Sequence, residues 1–502
     1  MESGPTAAAS QRRVLPGAER PTTATDPILD AVRRFYDDHH EGIERARHAR
    51  RYFYGYLERV LRVRVPPGVR ILDIGCGSGH LLRALDPSQG VGIDISGKAI
   101  SAARAASGMR LLFLEGDGSD PAVLARAGGP FDVITLVNVV THLGDVQATF
   151  AALQPLCHAG TRLLIYSYSR LWQPLLRLAE WLGLKYHQPP EAWLPPEEIR
   201  SMLGLEDFEV VRSDAQVLFP AGVPLLAEAV NRFVGHLPGF EALSLMYGII
   251  ARPAPHRFPK REREPPVSVV IPCRNEEGHI SDLVKRLPRL APGSEFLFVE
   301  GNSKDDTEGA IHRAIEAHPE LPLRFLKQRG RGKGDAVRLG FAEAKGEVVL
   351  ILDSDMGVAP EDVPKFVDAL ARGKGDVVNG SRLVYPMEGQ AMRFLNLLAN
   401  KSFALLFSWL LGQQVRDTLC GTKALYREDY QRIADNRSYF GDFDPFGDFD
   451  LLFGAARQNL RIVDVAVRYH ARQYGETNIS RFRHGLLLLH MSLFAARKLK
   501  FI

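Results

Sequence analysis

The sequence predicts an α/β protein built as two doubly wound domains, each a sheet with crossover helices. Three observations carry that expectation. Short apolar runs alternate with helical stretches along most of the chain, the pattern of strands joined by crossovers. A proline- and charge-rich break at 251–266 divides this pattern into two series. At 502 residues, 45% of them apolar, the chain exceeds one ordinary core and can fill two of roughly 220–240 residues each.

The elements follow in order. Residues 1–25 are rich in Pro, Thr, Ala and Arg, have no apolar run of the kind a signal peptide needs, and are expected to be disordered. From Ile28 to Val60, apolar and aromatic positions recur at helical spacing among Arg and His, predicting one or two lead-in helices. Strands are expected at Val69–Ile74, Gly90–Ile95, Met109–Leu114, Asp132–Val137 and Arg162–Ser167, giving a parallel sheet in a first domain over 26–250. Residues 170–250, with Trp172, Trp181 and Trp193, are expected to cover one side of that sheet, with an ordinary packed core preferred over a lid for lipid.

ARPAPHRFPKREREPP at 251–266 combines five prolines with seven charges and no apolar periodicity, so it reads as a linker. After it, VSVVIP at 267–272, FLFVEG at 296–301, LRFLKQ at 323–328, VVLILD at 348–353 and DVVNGS at 376–381 predict the strands of a second domain over 267–502. The two halves share a fold class and no motif.

Composition narrows the partners. A net charge of +4 from 63 basic and 59 acidic residues is too weak to argue for nucleic acid. Cys76, Cys157, Cys273 and Cys420 lack C-x-x-C spacing, so neither a disulfide framework nor a zinc site is indicated, and a reducing cytoplasm is the simplest compartment. No window reaches 18 uninterrupted apolar residues, so any membrane contact is expected to be peripheral.

In the first half, ILDIGCGSGH places Gly75, Gly77 and Gly79 between an apolar strand and a helix, where the backbone can turn tightly and present N–H groups to a ligand. Asp94 ends the next strand and can accept both hydroxyls of a ribose; Asp117, after the third, is placed to meet the exocyclic amine of adenine. A plain glycine turn or a dinucleotide site is the other reading of these residues. The segment over roughly 65–170 resembles the class I S-adenosylmethionine-dependent methyltransferases, whose D-x-G-x-G-x-G motif matches Asp73 to Gly79. FDVITLVNVVTHLGD at 131–145 and HAGTRLLI at 158–165 match that family's fourth and fifth strands. The resemblance implies that Asp73, Gly75, Gly77, Gly79, Asp94 and Asp117 hold S-adenosylmethionine and that Asn138 borders its methyl group. His142 is read as a methyl-transfer base or as a capping or packing residue, with the second favoured. The methyl acceptor is not named by any motif.

In the second half, Asn275, Glu276 and Glu277 follow a strand that ends in Pro272, placing acceptors where a nucleoside can lie across the strand tips. Arg329–Asp335 is a basic glycine turn before a helix and suits a diphosphate, against the alternative of a solvated loop. Asp353 and Asp355, one residue apart at a strand end, call for a hard divalent cation, Mg²⁺ or Mn²⁺, to offset their repulsion. That ion would bridge the diphosphate and neutralise the leaving group.

Taken together, V-I-P-x-x-N-E-E at 270–277, V-E-G-N-S-K-D-D-T at 299–307, G-K-G-D-A at 332–336, D-S-D at 353–355, G-S-R at 380–382, V-R-D-T-L-C-G-T-K at 415–423 and R-Q-Y-G-E-T-N-I-S at 472–480 resemble family 2 glycosyltransferases of the GT-A fold. Within these the resemblance is to the dolichol- or polyprenyl-phosphate sugar synthases. It implies an inverting hexosyl transfer in which Pro272, Asn275, Glu276, Glu300 and Lys333 contact the nucleotide-sugar donor. Asp353 and Asp355 would bind the metal, and Arg382 and Arg472 phosphate groups. Glu300-Gly301 departs from the family's common Asp-Asp, and Gly357 stands where a further metal ligand is often offered.

A sugar-hydroxyl acceptor would need a general base, for which Asp448 or Asp450 is the candidate; a polyprenyl phosphate, with a second pKa of about 6, needs none. Asp450 could equally organise an arginine. Phe394–Gly412 is apolar around most of a helix, with Lys401 its only charge, and reads either as buried or as lying in a membrane interface. GLLLLHMSLFAA at 485–496 is flanked by Arg481, Arg483, Arg497, Lys498 and Lys500, as expected of an apolar face on an anionic bilayer.

The resulting expectation is a bifunctional enzyme, peripheral on the cytoplasmic face of the membrane, that transfers a sugar to a polyprenyl phosphate or another membrane-linked acceptor and a methyl group to an unknown one. Two alternatives remain: a non-catalytic, nucleoside-binding methyltransferase-like module, and a soluble hydroxyl acceptor.

Overall fold

The computed structural model describes residues 26–501 apart from 184, 190, 259–262, 386–393, 440–446, 471–473 and 475–480. The segment 1–25 expected to be disordered, and Arg472, lie outside the described residues.

Three helices lead in: α1 (Pro27–Asp38), α2 (His40–Ala49) and α3 (Arg51–Arg64). Asp26 caps the first by accepting the Ile28 N–H at 2.9 Å, and Pro27 sits at the helix start, where its missing N–H costs nothing. The first sheet then alternates β1 (Arg70–Ile74), α4 (His80–Leu85), β2 (Gln89–Asp94), α5 (Gly97–Ala105), β3 (Leu111–Glu115), α6 (Pro121–Ala127), β4 (Phe131–Val137), α7 (Val146–Leu153) and β5 (Cys157–Tyr168). After α8 (Gln173–Trp181) and α9 (Pro196–Leu205) come β6 (Phe208–Gln216), α10 (Leu226–Arg232) and β7 (Met246–Pro253). The strand order is β3-β2-β1-β4-β5-β7-β6.

β1 to β5 are parallel, as expected, but β7 is antiparallel to both β5 and β6, so the sheet is mixed. β6 escapes a hydrophobicity reading because it buries Arg212 and Asp214 as an ion pair instead of two apolar side chains. β7 also takes Ala251–Pro253, the first three residues of the expected linker. Arg252 looks like linker charge in the sequence; in the fold it is buried against Asp376 and Glu209, and the proline follows at the strand's last position, where no further ladder donor is needed.

The second sheet runs β8 (Val267–Cys273), α11 (Glu277–Lys285), β9 (Glu295–Glu300), α12 (Thr307–Ala317), β10 (Leu323–Lys327), α13 (Lys333–Ala342), β11 (Val348–Ile351), α14 (Val363–Ala371) and β12 (Val377–Ser381). It continues with α15 (Phe394–Leu411), β13 (Lys423–Tyr426), α16 (Arg427–Asp435), α17 (Asp448–Arg457), β14 (Ile462–Ala466) and α18 (Arg481–Leu499). Its order is β10-β9-β8-β11-β13-β12-β14, with β13 antiparallel to β11 and β12.

The central strands are buried on both faces. Along β11, Val348 and Leu350 enter one core, while Val349 and Ile351 enter the other, the two-residue period of a covered strand. Each fully buried side chain of this kind contributes roughly 1.5–3 kcal/mol. In both sheets the strand order reverses next to the first strand, β1 against β4 and β8 against β11, and the carboxyl edge at such a reversal is where ligands of doubly wound sheets bind.

The halves are joined by buried polar contacts. Asp376 accepts from Arg162 Nη2 at 2.7 Å, from Arg252 Nη1 at 2.9 Å and from the Arg461 N–H at 2.7 Å. Asn459 Nδ2 donates to Arg64 O at 2.6 Å, and Arg64 Nη2 to Leu499 O at 3.3 Å.

Candidate active sites

In the first half the chain leaves β1 through Gly75 (φ +73°), Gly77 (φ +51°) and Gly79 (φ +71°), three left-handed positions that suit glycine. At Gly75 a Cβ would also come within 2.5 Å of Val139 Cγ2, so backbone must pass where a side chain cannot. Asp94 holds this turn: its Oδ2 accepts the Gly77 N–H at 2.7 Å and its Oδ1 the Ser96 N–H at 2.9 Å. Burial raises the Asp94 carboxyl above its usual range, against the pull of these two N–H groups. Asp73 accepts from Thr135 Oγ1 at 2.7 Å, and burial pushes it up to about 7. Asp117 accepts from the Ser119 N–H at 2.9 Å and from Ser119 Oγ at 2.6 Å.

Asp73, Gly75, Gly77, Asp94 and Asp117 line a cavity of about 260 Å³ together with Asn138 and His142, whereas Gly79, at the start of α4, is not part of its lining. Asn138 has φ +56°, and its Oδ1 is buried without a hydrogen-bond partner among the described residues. An unmet acceptor in a cavity edged by carboxylates suits a cationic, hydrogen-bond-donating ligand, so the site fits S-adenosylmethionine.

The cavity has a roof that no motif announced. Tyr36, His40 and Glu44 of the lead-in helices line it. Glu44 accepts from Ser78 Oγ at 2.7 Å and pairs with His80 Nε2 at 2.8 Å, and chiefly the His80 bond lowers its pKa to about 2. Asp37 accepts from Ser96 Oγ at 2.7 Å. His142 Nε2 lies 3.0 Å from Tyr36 Oη and 3.6 Å from Glu191. Burial, then the charge of Lys185, pushes His142 down to about 4, so its imidazole is neutral near pH 7.

In the second half, Asn275 stands at φ +57° just past β8. Its N–H donates to Ser303 Oγ at 3.0 Å, and its Oδ1 accepts the Lys304 N–H at 2.7 Å. Glu276 is buried; its N–H donates to Thr307 Oγ1 at 2.9 Å, and its Oε2 lies 2.6 Å from His279 Nδ1. Glu300 ends β9 with Oε1 accepting the Ser303 N–H at 2.6 Å, while Oε2 is buried without a partner among the described residues. Pro272 meets the D-S-D turn: Ser354 Oγ donates to its carbonyl at 3.0 Å. Asn275, Glu276 and Glu300 thus stand side by side at the carboxyl edge of β8 and β9.

Lys333 opens α13 after Gly332 at φ +88°, and its Nζ lies 2.6 Å from Asp353 Oδ1. Burial alone would raise the Asp353 carboxyl, but Lys333, with Lys423 and Arg382, outweighs it and holds the group below its ordinary range. Asp355 Oδ1 accepts the Gly357 N–H at 3.0 Å. Among the described residues no third His, Cys, Asp or Glu joins these two in a metal-sized group. At Gly357 a Cβ would come within 2.9 Å of the Tyr469 ring, so an aromatic fills the space of a further ligand. Two carboxylates without nitrogen or sulfur suit a hard divalent ion whose remaining oxygens come from phosphate and water.

Arg382 is gripped by Asp417, Nε to Oδ2 at 2.8 Å and Nη2 to Oδ1 at 2.9 Å, and lies over the Tyr469 ring with its Cζ 4.9 Å from the centroid. Asp450 Oδ2 accepts from Arg437 Nε at 2.7 Å, so the candidate base holds an arginine. Asp417, buried Lys423 and Tyr469 belong to this cluster and were not singled out from the sequence. Asp417 and Lys423 lie inside a matched motif, but a buried acid or lysine announces its partner only when the fold supplies it.

Comparison with known proteins follows the same division. A methyltransferase domain model matches residues 45–213, and a glycosyl transferase family 2 model matches residues 268–433. The dolichyl-phosphate hexose transferase of Haloferax volcanii is 31% identical over 222 residues, covering 44% of this chain and 89% of that protein. The dolichol-phosphate mannosyltransferase of Pyrococcus furiosus is 27% identical over 220 residues, covering 42% of this chain and 59% of that protein. A solved SAM-dependent methyltransferase of Thermotoga maritima superposes with a TM-score of 0.35 at 15% identity, covering 43% of this chain and 98% of that one.

Proposed function

From a chain that belongs to glycosyl transferase family 2 through its C-terminal half and carries a methyltransferase domain ahead of it, we propose an enzyme that moves a sugar from a nucleoside-diphosphate donor to a polyprenyl phosphate, with a second site for S-adenosylmethionine. The observation that carries this reading is the Lys333–Asp353 pair at 2.6 Å, set at the reversal of strand order beside the glycine turn that opens α13. Relatives named for dolichyl phosphate support the acceptor class.

The nucleoside would lie on Pro272, Asn275 and Glu276, with Glu300 Oε2 as its open acceptor. Asp353 and Asp355 would hold Mg²⁺ or Mn²⁺, which supplies charge neutralisation for the departing diphosphate. Lys333 is placed to exchange its carboxylate partner for a diphosphate oxygen. An oxygen of the acceptor phosphate, largely dianionic near neutral pH, attacks the anomeric carbon; its bond to the nucleoside diphosphate breaks and the new C–O bond forms. No protein base is required, so Asp450 acts as the holder of Arg437. Arg382, held by Asp417, would meet the acceptor phosphate, and Arg472, by motif, would join it.

In the first half Asp73, Gly75, Gly77, Gly79, Asp94, Asp117 and Asn138 would bind S-adenosylmethionine. The working units would be 26–253, extended past the expected 250 by the end of β7, and 267–502. Among the described residues no helix is long and apolar enough to cross a membrane. Exposed Leu405 of α15 and Leu486, Leu489 and Leu493 of α18, with Arg497, support peripheral attachment to an anionic cytoplasmic leaflet.

The test is incubation of the purified chain with labelled nucleotide sugars and polyprenyl phosphate, with Mg²⁺ or chelator, followed by organic extraction. We expect metal-dependent label in the organic phase, reduced at least ~100-fold by Asp353→Asn. Label that stays aqueous for every donor would sink the reading.

A further inference from the structure

α8 buries none of its residues. Trp172, just before it, and Leu176 lean on the core, while Leu171, Leu175, Leu178 and Leu182 recur at helical spacing on the outer side. Trp181 adjoins them at 81% exposure. This strip, about 16 Å long, runs along one helix face and has no partner among the described residues. A contiguous row of large apolar side chains in water marks a binding surface, unlike leucines scattered singly.

Its charges indicate what covers it. Arg170 and Arg177 are exposed beside the strip, and Glu180, the one acid between 170 and 182, is bound to Lys185 Nζ at 2.7 Å. An apolar face with a cationic rim and a tryptophan near its end matches a helix lying in the interface of an anionic bilayer.

Two placements extend the argument. β5 ends at Tyr168, and α8 starts five residues later, at the carboxyl edge of the sheet that also carries Asn138 and His142. The strip therefore starts from the same edge of the sheet as the cavity, although α8 itself supplies none of the cavity's lining. From Trp172, Nε1 donates to Leu243 O at 2.8 Å; Glu241 pairs with Lys500 at 2.9 Å, and Trp409 Nε1 donates to His236 O at 2.9 Å. By way of the segment 236–243, these contacts connect the residue that precedes α8 with the ends of α15 and α18, the elements that carry the proposed bilayer face of the other half.

We infer that the methyltransferase half itself rests on an anionic lipid surface through α8, so that its methyl acceptor is drawn from that surface. The inference rests on the peripheral attachment read above for the sugar-transferase half and extends it to the other domain.

The test uses the full chain with Trp181→Cys carrying an environment-sensitive fluorophore; of the native cysteines, Cys76, Cys273 and Cys420 are buried and Cys157 is half-buried. On vesicles of phosphatidylcholine with phosphatidylglycerol, the label should shift to the blue. Leu175→Glu with Leu178→Glu should weaken vesicle partition ~tenfold. Calorimetric S-adenosylmethionine affinity should be unchanged in that variant, which shows that it is folded. A label that does not respond while the protein sediments with vesicles overturns the inference and leaves the attachment through α18 intact. A strip that instead joins two copies, seen as a dimer by light scattering that the double variant dissociates, also overturns it. Failure to bind vesicles at all overturns it together with the α18 attachment, while sugar transfer to a detergent-dispersed polyprenyl phosphate would still report separately on the catalytic reading.

Discussion

Asp417 shows how a single carboxylate fixes part of a site. It is fully buried, and burial pushes its pKa up; the bidentate Arg382 and Asn400 Nδ2 at 2.9 Å outweigh that and bring it to about 2. A free aspartate titrates near 3.9, so the folded state favours the charged form. The stabilisation is therefore complete above about pH 4 and is lost as pH falls toward 2, an effect of about 2 kcal/mol. Urea titrations between pH 2 and 5 should show Asp417→Asn less stable than wild type at the upper end and the two converging at the lower. An acid arm identical in both proteins would rule out this role. Nothing in V-R-D-T-L-C-G-T-K foretold the pairing, because Arg382 lies 35 residues away and the two meet only where β12 reaches the loop before β13.

At the scale of elements, the glycine turn between β1 and α4 combines two different demands. Gly77 needs only its left-handed backbone, with nothing within 4 Å of a Cβ, whereas Gly75 also has Val139 against it. Gly77→Ala should cost about 1 kcal/mol of stability and spare the cavity's shape. Gly75→Ala should cost about 2 kcal/mol or more and weaken S-adenosylmethionine binding severely, because Val139 would be driven into the site. Thermal unfolding and calorimetry separate these outcomes; equal losses for the two variants would contradict the assignment. The turn and most parallel strands were legible because glycine spacing and apolar runs are local. β6, β7, β13 and β14 were not, since buried ion pairs, a buried Lys423 and short length conceal their alternation.

For the whole molecule, Asp376 is the joint. It faces Arg162 and Arg252, both nearly buried, and their charges keep its carboxyl below the ordinary range against the effect of burial. Asp376→Ala would leave two guanidinium groups without their shared carboxylate, a loss of roughly 3–5 kcal/mol. Scanning calorimetry should show the two halves unfolding more independently than in wild type. A single unshifted transition would mean that the joint carries no coupling.

The sequence alone determined the two-domain α/β plan, the glycine turn after β1, the carboxylates at the ends of β8, β9 and β11 and the family of each half, because these depend on local spacing and on residue types that recur in order. Only the tertiary structure decided that Asp450 holds an arginine, that α1 and α2 roof the cavity, that Asp376 locks the halves together and that α8 turns its leucines outward. Each of these depends on which distant side chain becomes a neighbour, and burial or exposure of a helix face is a property of what packs against it.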